Sequence, residues 1–249
     1  MRRLGVVLPM ALAILASAPA VPIAGPVEPR GVVELFTSQG CSSCPSADKL
    51  AAELARDPSL IVMTLPIDYW DYLGWKDTLA KPRHTARQRG YAHARGDREV
   101  YTPQVVVNGK MHVLGSDRGA IERALAATRA EDKAILSVPV QLTIARDRLS
   151  VMLPARGEGI GNSEVWLCVL SRAVPVKIGR GENRGRTVTY ANVIRRWVKL
   201  GDWSGAARSF TVPSAEFADD GADGVAILVQ AGSIEQPGPM LGAAVASLH

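Results

Sequence analysis

The chain has 249 residues, 47% of them hydrophobic, 21% charged and 5% aromatic, with three cysteines and a formal charge of +5. That apolar content excludes a disordered tail, and so few cysteines exclude a scaffold stapled by several disulfides. No dense Lys/Arg stripe interleaved with aromatics accompanies the charge, so no nucleic-acid partner is expected.

Arg2 and Arg3 precede a mostly apolar run, Leu4 to Leu15, and small residues follow it. This reads as a secretory signal over residues 1–20, with Ala18-Pro19-Ala20 as the cleavage site and an uncleaved N-terminal anchor as the alternative. The run is shorter than the ~20 residues of a membrane span, so no stable membrane anchor is expected. The mature protein is therefore expected to be exported, periplasmic or secreted. Losing Arg2 and Arg3 and no acid would lower the formal charge by two, to +3. Residues 21–29 are Pro-rich and read as an extended linker.

Gly31 to Phe36 reads as a strand, Cys41 to Arg56 as a helix with Leu50 and Leu54 on one face, and Leu60 to Ile67 as a buried strand. A short apolar strand on each side of a helix implies a parallel pair. Tyr69, Trp70, Tyr72 and Trp75 then crowd into eight positions, ahead of a polar helical stretch from Lys81 to Arg95. Tyr101 to Val107 and Met111 to Leu114 read as a hairpin around Asn108-Gly109, since both central residues of a type I′ turn need positive φ. Ser116-Asp117 caps a helix from Arg118 to Thr128. From about Ser137 the pattern becomes short strands and turns: 138–145, 149–153, 165–174, 187–198, 225–230 and 241–247. These suggest a small β-sandwich. The expected layout is one domain over residues 30–132 and a second, β-rich domain over 137–249.

The chemistry concentrates in Gln39-Gly40-Cys41-Ser42-Ser43-Cys44-Pro45, between the first strand and the first helix. Cys41 at a helix N-terminus would have its thiolate stabilised by free N–H groups and the macrodipole. Cys41 is then the nucleophile that attacks a disulfide, and Cys44, one turn on, resolves the mixed disulfide. A CxxC can also hold copper or zinc, or form a structural small-loop disulfide. A structural zinc needs about four ligands, and His84, His93, His112 and His249 are scattered. No metal ligands and no cofactor are assigned. A Pro at a strand start, as in Thr102-Pro103, makes sense as a cis bond beside the CxxC whose backbone guides a substrate strand.

Strand, CxxC helix, strand, helix, Thr-Pro, hairpin and last helix together resemble the thioredoxin superfamily over residues 30–130. Thr102 to Lys110 and Gly115-Ser116-Asp117 resemble glutaredoxins in particular. That resemblance implies an α/β thioredoxin-like N-terminal domain, and makes Thr102, Pro103, Ser116 and Asp117 candidate contacts to a peptide or thiol ligand. The whole chain resembles a family of secreted, mostly bacterial proteins, domain of unknown function 1223. The matching segments are ELFTSQGCSSCP, DYWDYLGWKD, YTPQ and GRGENRGRTVTY. That resemblance implies a β-rich C-terminal half.

Trp70 and Trp75 could roof the CxxC as an apolar platform for an unfolded substrate, or pack the two halves together. Asp68 could serve in proton transfer to Cys44 or as an N-cap. Gly179 to Arg186 lacks the ending of a phosphate-binding loop and reads as a Gly/Arg hairpin loop, whose arginines could bear on Cys41 if it folded over the CxxC. Cys168, among apolar neighbours, reads as a buried inert thiol. The expected function is an exported thiol–disulfide oxidoreductase acting on protein or small-thiol substrates and recycled by a redox partner. The alternatives are a copper carrier using the CxxC and a non-catalytic interaction module.

Overall fold

Two faces of one strand organise the molecule. In β1 (Gly31–Thr37) every residue is buried. Val33 and Leu35 join one apolar cluster with Leu50, Leu54 and Ile121, while Val32 and Phe36 join another with Tyr91, Trp166 and Trp197. A strand buried on both faces needs a layer on each side and reads as a continuous apolar run. The computed structural model describes residues 28–145, 148–156, 161–218 and 221–248. The expected signal segment and most of the linker lie outside the described residues.

α1 (Cys44–Leu54) connects β1 to β2 (Leu60–Pro66), which pairs parallel with β1 from Gly31↔Leu60 to Thr37↔Pro66. The helix starts three residues later than its periodicity predicts. Pro45 suits the first turn of a helix, and residues 41–43 form a turn closed by the Cys44 N–H on the Cys41 carbonyl (3.3 Å). α2 (Pro82–Arg95) opens on a proline and ends at Gly96, whose φ of +78° is the left-handed cap that glycine adopts freely. β3 (Gln104–Val107) and β4 (Met111–Leu114) form the hairpin. Asn108 and Gly109 both have positive φ, and Lys110 N–H closes on the Val107 carbonyl at 3.0 Å. α3 (Arg118–Glu131) is capped by the Asp117 carboxylate, which accepts from Ala120 N–H.

The remaining strands are β5 (Gln141–Ile144), β6 (Arg148–Leu153), β7 (Ser163–Lys177), β8 (Thr187–Trp203), β9 (Arg208–Pro213), β10 (Gly224–Gly232) and β11 (Pro237–Ser247). β5, β6 and β9 make a small antiparallel sheet. The other eight strands form one mixed sheet in the order β11-β10-β7-β8-β2-β1-β3-β4.

This sheet corrects the expected fold class. Among the described residues no separate thioredoxin-like α/β domain is followed by a separate β-sandwich, because β1 to β4 and β7, β8, β10 and β11 belong to the same sheet. The seam is β2 against β8, bridged at Thr64↔Val193. Thr64 Oγ1 donates to the Ala191 carbonyl (2.5 Å), and Asn192 Nδ2 donates to the Val62 carbonyl (2.9 Å). The hairpin tip ties the halves again. Asn108 carbonyl accepts from Met240 N–H (2.9 Å), and a Cβ on Gly109 would stand 2.3 Å from the Gly238 carbonyl oxygen.

α2 covers one face of this sheet, and its Arg87 is fully buried against residues of both halves. The guanidinium donates to Glu34 of β1 (2.7 Å), Tyr91 (2.8 Å) and Gln230 of β10 (2.8 Å), and stacks on Trp197. Tyr91 hydroxyl also donates to Glu34. On the other face, α1 and α3 cover the N-terminal strands, and the small sheet covers β7 and β10. Cys168 lies fully buried on β7, facing α2, where burial pushes its thiol pKa up.

Candidate functional site

The site forms where β1 and β2 end. Cys41 and Cys44 are joined in a disulfide with Cα atoms 5.4 Å apart. Cys41 lies in the turn ahead of α1 rather than in the helix, and Cys44 is its first residue. Both are nearly inaccessible, at 3% and 0% exposure.

Four side chains from two segments hold the Cys loop down. Asn183, in the loop between β7 and β8, is itself buried; its Nδ2 donates to the carbonyls of Cys41 (2.7 Å) and Gln39 (3.0 Å). Arg186 donates to Asn183 Oδ1 (3.2 Å), which fixes the amide's orientation. Asp77, after the aromatic segment, accepts from Gln39 N–H (2.7 Å), Leu79 N–H and Ala80 N–H. Trp75 donates to Gln39 Oε1 (2.8 Å) and packs on Gly179 and Gly181, so it bridges the Cys loop to the Asn183 loop. Trp70 lies against Gly40, where a Cβ would come within 3.1 Å of it, and its Nε1 donates to Thr102 Oγ1 (2.8 Å).

The Thr102–Pro103 peptide bond is cis. Pro103 and Ala47 of α1 both crowd Gly115, within 3.3 Å of where its Cβ would be. Of the residues singled out in the sequence, Cys41, Cys44, Trp70, Trp75, Thr102 and Pro103 therefore gather in one region. Ser116 and Asp117 begin α3 just after Gly115, and the Asp117 carboxylate is engaged in capping that helix. Among the described residues, neither side chain bonds to the Cys loop.

The buried acid beside the pair is Asp48, four residues after Cys44 and on the same face of α1. It is 2% exposed. Its Oδ1 accepts from Thr37 Oγ1 (2.7 Å), and its Oδ2 has no partner. Burial pushes its pKa up to about 8, against the opposing pull of the Thr37 bond and with the Asp77 charge adding to the rise. Burial likewise raises Asp77, and burial followed by the charges of Asp48 and Asp77 raises the phenol of Tyr190 on β8. Asp68 stands elsewhere, accepting from Thr85 Oγ1 of α2 (2.5 Å). Sequence reading missed Asp48 and Asn183. A polar residue at the i+4 position of Cys44, on a face otherwise filled by Ala47, Leu50, Ala51 and Leu54, was the available signal for the first. Asn183 carries no signal beyond its place in a Gly/Arg-rich loop.

No match was found among curated proteins. The chain is similar to a protein of Agrobacterium tumefaciens of known crystal structure, at 34% identity and a TM-score of 0.77, over 87% of this chain and 93% of that one. The family model described as "Protein of unknown function (DUF1223)" matches residues 32–230. The wider thioredoxin- and glutaredoxin-like resemblance is not confirmed by these matches. On the extent of the family match, the chain belongs to the DUF1223 family.

Proposed function

We propose that the chain is a thiol–disulfide oxidoreductase of an oxidising compartment, working through Cys41 and Cys44. The observation that carries this reading is the disulfide itself, at a loop–helix junction with the buried Asp48 carboxyl one turn away. A structural staple between residues three apart closes too short a loop to restrict the unfolded chain much.

In the oxidising direction a substrate thiolate attacks Cys41 Sγ and the Cys41–Cys44 bond breaks. The Cys44 thiolate leaves and takes a proton from the Asp48 carboxyl, or from water. A second substrate thiolate then attacks the substrate sulfur of the mixed disulfide and releases Cys41 as thiolate, which is protonated from solvent. The substrate dithiol loses two electrons and two protons, and the protein pair gains them. Reduction is the same path reversed, and the potential of the pair relative to its partner sets the direction. Thr102, Pro103, Trp70 and Trp75, with Ser116 and Asp117 further along, are the residues proposed to meet the substrate. The burial of Cys41 means that the Asn183 loop or the aromatic segment must lift for exchange.

Equilibrating the purified protein with glutathione buffers tests this. A reversible two-electron transition between about −270 and −120 mV, lost in Cys41→Ser, is expected. A pair that stays oxidised under all buffers, or a reduced pair that binds Cu(I) tightly without exchanging, overturns the reading.

A further inference from the structure

At the pole of the large sheet opposite the disulfide, where β2 begins, lies a cavity of about 730 Å³. β1 runs away from it: Glu28 and Pro29, ahead of that strand, line the cavity, whereas the Cys loop follows the strand's far end. Aliphatic side chains, Ile61, Val140, Leu142, Leu170 and Ala243, share the lining with polar ones, and among the described residues no Phe, Tyr or Trp lines it. Protein interiors close-pack, so a partly open pocket of this size, with an aliphatic part and a few polar groups, falls in the class that holds small molecules.

Its polar groups give the sign of the ligand. Arg129 and Arg172 stand exposed at the cavity. Arg172 reaches Ser247 Oγ (3.4 Å), and among the described residues neither guanidinium has a carboxylate partner. Asp57 also lines the cavity but is paired with Arg30 (3.1 Å). Among the described lining residues that leaves two guanidiniums without a carboxylate partner against one carboxylate, Glu28; the Asp223 carboxylate next to Arg172 accepts from its main-chain N–H (2.7 Å).

We propose that this cavity binds a long-chain aliphatic carboxylate, with its alkyl chain against the aliphatic wall and its head between Arg129 and Arg172. The aliphatic lining offers dispersion contacts along a methylene chain and no aromatic face for a planar ligand. Two guanidiniums with spare donors suit a carboxylate. The proposal stands independently of the disulfide chemistry.

Calorimetric titration of the full chain with dodecanoate, below its micelle concentration, tests it. Saturable one-to-one binding is expected, weakened about tenfold or more in R129E/R172E, as loss of charge-assisted hydrogen bonds implies. Dodecyltrimethylammonium, with the same tail and the opposite head, is expected to bind about tenfold more weakly or worse, since like charges then meet. Ala243→Phe, which fills the void, should abolish binding. Ala244→Phe replaces it if circular dichroism shows that the first variant does not fold. Absence of saturable dodecanoate binding, equal binding of the two head groups, or binding that survives a folded cavity-filling variant each overturns the proposal.

Discussion

The side-chain amide of Asn183 donates to the main-chain carbonyl of Cys41 at 2.7 Å, across 142 residues of sequence. The second half of the chain thus holds the disulfide loop of the first. Asn183→Ala removes this bond and the one to Gln39. Each is worth about 1 kcal/mol, and both acceptors are buried. The Cys41–Cys44 disulfide should then be reduced by dithiothreitol roughly tenfold faster, with roughly 1–3 kcal/mol less stability in urea unfolding. Unchanged reduction kinetics would show that the Asn183 loop does not control access.

Asp48 predicts a pH dependence of defined sign. Its folded pKa of about 8 lies above the ordinary carboxylate value of 3.8. The folded state therefore holds a proton that the unfolded state gives up between those values, and stability contributed by the neutral acid falls as pH rises from about 4 through 8. Asp48→Asn keeps the acceptor for Thr37 and cannot ionise. The Tm advantage of the variant over the parent should grow from pH 5 to about pH 8 and level off above it. A difference that is flat with pH would place the Asp48 pKa near its ordinary value.

His84 gives the opposite sign. Buried on α2 with Nδ1 on the Pro66 carbonyl (2.9 Å), it has its pKa lowered to about 4, chiefly by burial. It is neutral when folded, so the unfolded chain binds more protons between about pH 6.5 and 4, and stability falls as pH drops through that window. His84→Gln should reduce the loss of urea stability between pH 6.5 and pH 4.5. An identical acid dependence in both proteins would contradict a buried neutral His84.

Arg87 and Glu34 form a buried pair shared by both halves. Arg87→Met leaves Glu34 buried without its cation and should lower stability by about 3–5 kcal/mol, and the double change with Glu34→Gln should recover part of it. Because Gln230 of β10 belongs to the same network, unfolding of the parent should be a single transition. Two separated transitions in urea would mean that the halves fold independently despite their common sheet.

Gly109 carries a φ of +69°, and a Cβ there would stand 2.3 Å from the Gly238 carbonyl oxygen. Gly109→Ala brings both strain and a clash, and should cost more than about 1 kcal/mol. A neutral Gly109→Ala in thermal unfolding would show that β11 does not press on the hairpin.

Much of the local structure was legible in the residues. The apolar run of β1, the Asn108-Gly109 turn and the Asp117 cap are each specified by forces acting within a few positions: side-chain burial, φ preference and a hydrogen bond to a nearby N–H. α1 starts at Cys44 and not Cys41; periodicity does not distinguish a turn from the first helical turn when Pro45 follows. Asp68 ends a strand, which suggests a proton-transfer acid, but it bonds to Thr85 of α2, and the acids that burial raises by the Cys loop are Asp48 and Asp77. Burial depends on what packs above the helix, and Tyr190 of β8, which does so, is far away in sequence.

By itself, then, the sequence determined the order of elements through α3, the Cys41–Cys44 pair and the family, but not β9 (Arg208–Pro213), whose short, mostly exposed run carries no clear strand pattern. Only the tertiary structure decided that Thr64 of β2 meets Val193 of β8, which merges two expected domains into one sheet, and that Asn183 closes over Cys41. The physical reason is the same in both cases. A strand's apolar pattern says that its edges and faces must be covered, but every apolar strand satisfies that demand equally, so the choice of partner rests on packing summed over the whole chain.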